Sequence, residues 1–122
     1  LRYDVGKSPI LDSAGVVYVT GSLFFGAVDE FNHRLQDIPE EDHLILSLRG
    51  MPSVDVSGAQ AVLELCRRLL AKGHTIAFCG VAEDVRSYFD RAGVTALVGE
   101  SAYYHSADRA ILALLDEELL EA

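Results

Sequence analysis

Apolar residues fall along this chain in short continuous runs, each followed by a stretch of helical period. The runs are Val16-Val17-Tyr18-Val19, Leu44-Ile45-Leu46-Ser47-Leu48 and Thr75-Ile76-Ala77-Phe78-Cys79. They are mostly continuous rather than alternating and are bounded by turn or polar residues, as strands covered on both faces are. Residues 26–38 then place Val28, Phe31, Leu35 and Ile38 at helical spacing, with Pro39 as a stop. Residues 57–72 place Ala59, Val62, Leu63, Cys66, Leu69 and Leu70 on one face, with Gly73 at the position just past the helix end. A third helix over 82–92 has Glu83 and Asp84 in its first turn and Arg91 in its last, both complementing the helix dipole, with Gly93 beyond. Its buried stripe is Val85, Tyr88, Phe89 and Ala92. An extended piece around Leu97 and Val98 precedes a final helix from about residue 106, packed through Ala107, Ile111, Leu114 and Leu115.

Alternating strand and helix predicts an α/β domain with a mixed, mostly parallel central sheet of four to five strands flanked by about four helices. The opening segment, 2–11, carries Tyr3, Val5, Pro9, Ile10 and Leu11 and suits an edge strand, joined to the next by a turn at Asp12-Ser13-Ala14-Gly15. With 122 residues, half of them hydrophobic, one core suffices, and residues 1–122 read as one domain. The longest apolar stretch, 14–28, is broken by Thr20, Gly21, Ser22 and Gly26 and falls short of the ~20 residues of a membrane span. The first residue is Leu1, where an initiator Met is expected, so the chain reads as excised from a longer one.

Charge narrows the partners. Ten Lys and Arg against nineteen Asp and Glu give −9, which counts against nucleic acid and against anionic lipid. Cys66 and Cys79 are too few and too far apart for a zinc site or a redox pair and read as buried thiols.

In a parallel sheet ligands meet the loops at the carboxyl ends of the strands, here residues 20–26, 49–58 and 80–82. Thr20, Ser22, Arg49, Ser53 and Gly80 are therefore candidate loop or partner-surface residues. The middle loop is the longest and most polar, and its end opens the second helix. Ser57 has two readings. Ser57-Gly58-Ala59-Gln60 matches a capping box, and a hydroxyl at a helix start is also a favourable carrier of phosphate. Asp55 is either a carboxylate satisfying nearby amides or an acidic neighbour that orients Ser57 or is read by a partner. An enzyme reading has little to build on: His33, His43, His74 and His105 lie in no nucleophile-elbow, triad or metal-ligand spacing, and no phosphate-binding glycine fingerprint is present.

The loop Val54-Asp55-Val56-Ser57-Gly58 between an apolar strand and a helix resembles the signature of STAS domains, shared by bacterial anti-sigma-factor antagonists and the cytoplasmic C-terminal regions of sulfate-permease-type (SulP) anion transporters. The segment Gly21-Ser22-Leu23-Phe24-Phe25-Gly26-Ala27 is similar to one found in the transporter branch ahead of the first helix. The resemblance implies a non-catalytic regulatory or interaction domain of an anion transporter for sulfate, bicarbonate or a related anion. It would lie on the cytoplasmic side of the membrane without entering it. It also implies, as partners, the transmembrane domain of the same chain, cytosolic proteins and a second copy. By the same resemblance Ser57 falls on the serine that antagonists use as a phosphorylation switch, with Asp55 and Gly58 in its motif. The alternative is thus a stand-alone antagonist switched by phospho-Ser57. Val56 departs from the hydroxyl residue that many antagonists carry before that serine. No cofactor is implied; the wider family leaves nucleotide binding open, and without a glycine fingerprint it is not assigned. Phe24 and Phe25 are expected to pack into the core at the strand end.

Overall fold

Side chains along each of the three apolar runs enter the two faces of the sheet in turn and are buried on both, and this builds the centre of a five-stranded sheet among the described residues. The computed structural model describes residues 1–7, 14–36 and 43–121. The strands are β1 (Arg2–Lys7), β2 (Ala14–Thr20), β3 (His43–Ser47), β4 (Thr75–Cys79) and β5 (Tyr103–Tyr104), adjacent in the order of the chain. β1 runs antiparallel to β2, and the other three pairings are parallel. The expected mixed, mostly parallel α/β architecture is present.

Among the described residues five α-helices cover the sheet: α1 (Val28–Gln36), α2 (Val56–Ala71), α3 (Glu83–Ala92), the single-turn α4 (Val94–Val98) and α5 (Ala107–Glu121). Val17, Val19, Leu44, Leu46, Ile76 and Phe78 bury one sheet face against residues of α1 to α4, among them Phe31, Val62, Cys66, Val85, Phe89 and Val94. The intervening residues Val16, Ile45, Ala77 and Cys79 bury the other face against Ala110, Ile111 and Leu114 of α5. Because both faces are covered, neither parity of the strands can be polar, which explains the unbroken runs.

Several boundaries differ from the sequence reading. Ala14 and Gly15 open β2 instead of forming a turn, while Pro9, Ile10, Leu11, Asp12, Ser13, Ile38 and Pro39 lie outside the described residues. Leu97 and Val98 are not extended but end α4. Gly93, at φ +98°, terminates α3 and Gly99, at φ +94°, terminates α4, and between them Val94 and Thr95 turn inward. The fifth strand is instead Tyr103–Tyr104, held by the ring of Tyr103 stacked 5.4 Å from Phe78. Helix α2 closes as expected: Gly73, at φ +87°, donates to the Leu70 carbonyl at 3.0 Å, and His74 donates to that of Leu69 at 3.1 Å.

The cysteines sit in this core. Burial pushes the Cys66 thiol up to about 12 and raises that of Cys79, where a Ser47 hydrogen bond and Arg49 pull weakly the other way. Both stay neutral and shielded, so neither is expected to react with a thiol reagent at pH 8 until the protein is unfolded in guanidinium. Rapid labelling of the native protein would contradict this packing. Among the described residues no helix is long and apolar enough to cross a membrane, and no group of three or more His, Cys, Asp or Glu could hold a metal ion.

Candidate functional site

The first two loops at the carboxyl ends of the strands are zipped together by their backbones. Gly21 donates to the Gly50 carbonyl at 2.9 Å, Leu23 to that of Ser53 at 3.2 Å, and Asp55 to that of Leu23 at 3.3 Å. Leu23 and Val54 thereby form an isolated parallel bridge. The Ser22 and Ser53 hydroxyls share a hydrogen bond of 2.8 Å beside it. The candidate residues Ser22, Ser53, Asp55, Ser57 and Gly58 therefore belong to one neighbourhood.

Asp55 is its organising side chain. Its backbone is extended, and Val56 begins α2, so Asp55 is the helix N-cap and its Oδ1 accepts from the Gly58 amide at 2.8 Å. Its Oδ2 accepts from the Phe25 amide at 2.9 Å, the first residue of the 3-10 turn (Phe25–Ala27) that leads into α1. One carboxylate thus satisfies unpaired donors at two helical starts, where the backbone also favours negative charge. The expected capping box at Ser57 is not formed. Ser57 lies inside the first turn of α2, and the Gln60 amide reaches forward to Glu64 Oε1 at 3.1 Å rather than back. Asp55 wins the cap because its second oxygen has a tertiary donor to meet, which spacing within one helix does not reveal.

Gly58 is required by close approach. A Cβ there would lie 2.1 Å from the Leu23 carbonyl oxygen and 2.6 Å from Val54 Cγ2. The missing side chain lets α2 press against the first loop.

The remaining candidates join through a second set of contacts. Thr20 lies against Gly50, whose Cβ would come within 3.0 Å of Thr20 Cγ2. Arg49 donates to the His105 carbonyl, and its own Cβ would be 2.8 Å from one added at Gly80, which adopts φ +68°. His43 and His74, by contrast, stand at the amino ends of β3 and β4, remote from these loops.

Phe24 and Phe25 correct the sequence reading. Leu23 is fully buried through its bridge to Val54, but the chain then enters the 3-10 turn and leaves Phe24 48% and Phe25 76% exposed. Val56 is 73% exposed as well. Three large apolar side chains thus flank the Asp55 cap and Ser57 in water, an arrangement suited to a protein-docking face. Three adjacent apolar letters in the sequence do not say which of them turns inward.

Two features beyond these loops were not evident from sequence. Arg86 of α3 stacks over the Tyr103 ring, 3.8 Å from its centroid, while pairing with Asp90 at 3.0 Å and with Glu100. Thr95 links Asp90 to the Tyr103 hydroxyl, so the short β5 is pinned to α3. The Asp90 carboxyl is held below its ordinary value by the Thr95 hydrogen bond and by Arg86. A groove between α2 and α3 opens beside Val56.

A family model described as STAS domain matches residues 7–109. No curated protein sequence matches the chain. Among solved structures, the STAS domain of a SulP transporter from Vibrio cholerae is 30% identical, with a TM-score of 0.71 over 88% of this chain and 84% of that one. The murine Solute Carrier 26 family member A9 anion transporter is 21% identical with a TM-score of 0.72, over 82% of this chain and 17% of that one. The anti-sigma factor antagonist SpoIIAA in its unphosphorylated form is 17% identical with a TM-score of 0.71, over 94% of this chain and 97% of that one.

Proposed function

We propose, from the premise that this chain belongs to the STAS domain family, that it is the cytoplasmic, non-catalytic interaction domain of a SulP-type secondary anion transporter. The observation that carries the reading is the 30% identity to the Vibrio cholerae SulP STAS domain across 88% of the chain. The antagonist SpoIIAA shares the fold at 17%. Sulfate, bicarbonate or a related anion would be selected by membrane helices outside this chain, and this domain would act through its contacts with them, with cytosolic proteins or with a second copy. Its −9 charge favours a domain held off the anionic inner leaflet and read by protein surfaces. The exposed Phe24, Phe25 and Val56 supply apolar contact area for such a surface.

The complete reading frame is the first test: around ten or more upstream hydrophobic segments of membrane-spanning length are expected. A frame with none overturns the reading. In the intact transporter, Phe24→Ser with Phe25→Ser is expected to lower anion uptake severalfold while lowering the stability of the isolated domain by no more than about 1 kcal/mol, because Phe25 is mostly and Phe24 about half in water. Unchanged uptake would remove these residues from the docking face.

One observation favours a second reading, a stand-alone antagonist. Ser57 stands half-exposed in the first turn of the 16-residue α2, where added phosphate would meet the positive end of the helix and change the charge of the docking face by about −1.5 to −2. Incubation with a partner-switching kinase followed by mass spectrometry tests it. No phosphate on Ser57, together with wild-type partner binding by Ser57→Asp, would rule out the switch.

A further inference from the structure

The groove between α2 and α3 is about 300 Å³ and is lined by Val56, Ala59, Gln60, Tyr88, Arg91 and Ala92. That volume lies at the bottom of the ~300–1,000 Å³ range of small-molecule sites and suits one or two side chains. Its walls are mostly apolar, and it continues from the exposed Val56 of the loop face. Arg91 forms its charged rim. The guanidinium lies over the Tyr88 ring, 4.6 Å from the centroid, and Nε donates to the Ser87 carbonyl at 3.4 Å.

Among the described residues no carboxylate lies within ion-pair distance of Arg91. The adjacent carboxylate, Asp90, is already engaged with Arg86 and Thr95. Among the described residues the Nη donors of Arg91 therefore meet no acceptor, and the ring beneath holds the planar fork in place for bidentate pairing with a carboxylate.

We propose that this groove receives an apolar side chain of a partner protein segment while Arg91 pairs with an acidic residue beside it in that segment. The inference rests on the reading of the loop face as a protein-docking surface and names the chemistry of what docks. A free phosphate or other small anion would leave the apolar walls unfilled, so an acidic and apolar polypeptide is the occupant. Because the chain as a whole is acidic, the attraction acts at contact range, within the ~8 Å over which charges are felt at physiological salt.

The test uses the 122-residue chain and two labelled peptides, acetyl-Ser-Leu-Asp-Leu-Glu-Ser-amide and its counterpart with Lys at both acidic positions. At physiological salt the acidic peptide is expected to bind at least tenfold tighter and to shift the amide resonances of Val56, Gln60, Tyr88 and Arg91. Arg91→Glu should weaken it tenfold and favour the lysine peptide, and Gln60→Trp should block both by filling the groove. Both positions are exposed, and circular dichroism verifies that each variant folds. Equal affinity for the two peptides, or undiminished binding by both variants, overturns the proposal. Loss of anion uptake in the Phe24 and Phe25 variant without acidic-peptide binding overturns the groove alone. Peptide binding by a chain whose reading frame lacks membrane spans supports the groove and removes the transporter.

Discussion

Gly58→Ala is expected to lower the stability of the domain by about 3 kcal/mol, because the new methyl must displace backbone rather than a flexible side chain. The Leu23 carbonyl that it would strike, at 2.1 Å, also accepts the Asp55 amide. Relief of the clash by moving the first loop breaks that bond and opens the Leu23–Val54 bridge. Relief by moving α2 disturbs the packing of Ala59, Val62 and Cys66. Urea unfolding monitored by circular dichroism reads the effect as a lower midpoint at constant slope. Gly26→Ala is the control, since a Cβ there meets nothing within 4 Å, and it should stay within about 0.5 kcal/mol of wild type. Similar midpoints for the two variants would contradict the close approach.

Asp55→Ala carries the second large effect. It removes a helix cap, a change that costs about 0.5–2 kcal/mol, and strands the Phe25 amide on the other loop. The site is partly open to water, which can reach the freed amides, so a total loss of about 2 kcal/mol is expected rather than the sum for two buried bonds. Asp55→Asn, with a single acceptor oxygen, should fall between Asp55→Ala and wild type. Ser57→Ala should shift stability by no more than about 0.5 kcal/mol, because its hydroxyl caps nothing. The reverse ranking, with Ser57→Ala the more damaging, would restore the capping box. Under the antagonist reading, phosphate on Ser57 would act apart from the cap on Asp55, and a charge change at the serine would alter recognition without first unmaking the helix start.

Much of the fold was legible because burial on two faces writes itself as continuous apolar runs, and because helix ends carry their own chemistry. Gly73 and Gly93 both mark stops where glycine tolerates a left-handed backbone. Legibility failed where a tertiary partner decided between local options of similar strength. Leu97 and Val98 have strand-forming side chains, yet the inward pull of Val94 and Thr95 between two glycines winds that stretch into a turn of helix. Tyr103 and Tyr104 became a strand through the stack on Phe78 and the guanidinium of Arg86, neither adjacent in sequence. At the site, the motif residues Asp55, Ser57 and Gly58 were found, but which of them caps, and that Phe24 and Phe25 face water, depended on the other loop. The α2–α3 groove was missed for the same reason: a stripe such as Val85, Tyr88, Phe89 and Ala92 does not disclose that Tyr88 and Ala92 stop short of full burial.

The order of the strands across the sheet is the order of their synthesis. Every strand after the first can therefore dock on one already made, and each new parallel pairing requires closure of a single crossover of 22 to 27 residues. Nothing waits for a distant segment to be threaded between existing strands. On the ribosome the sheet can grow outward from the β1–β2 pair, each helix covering its strand as it emerges, so apolar edges need be uncovered only briefly. The last increment, two tyrosines and α5, seals the growing edge and the second face.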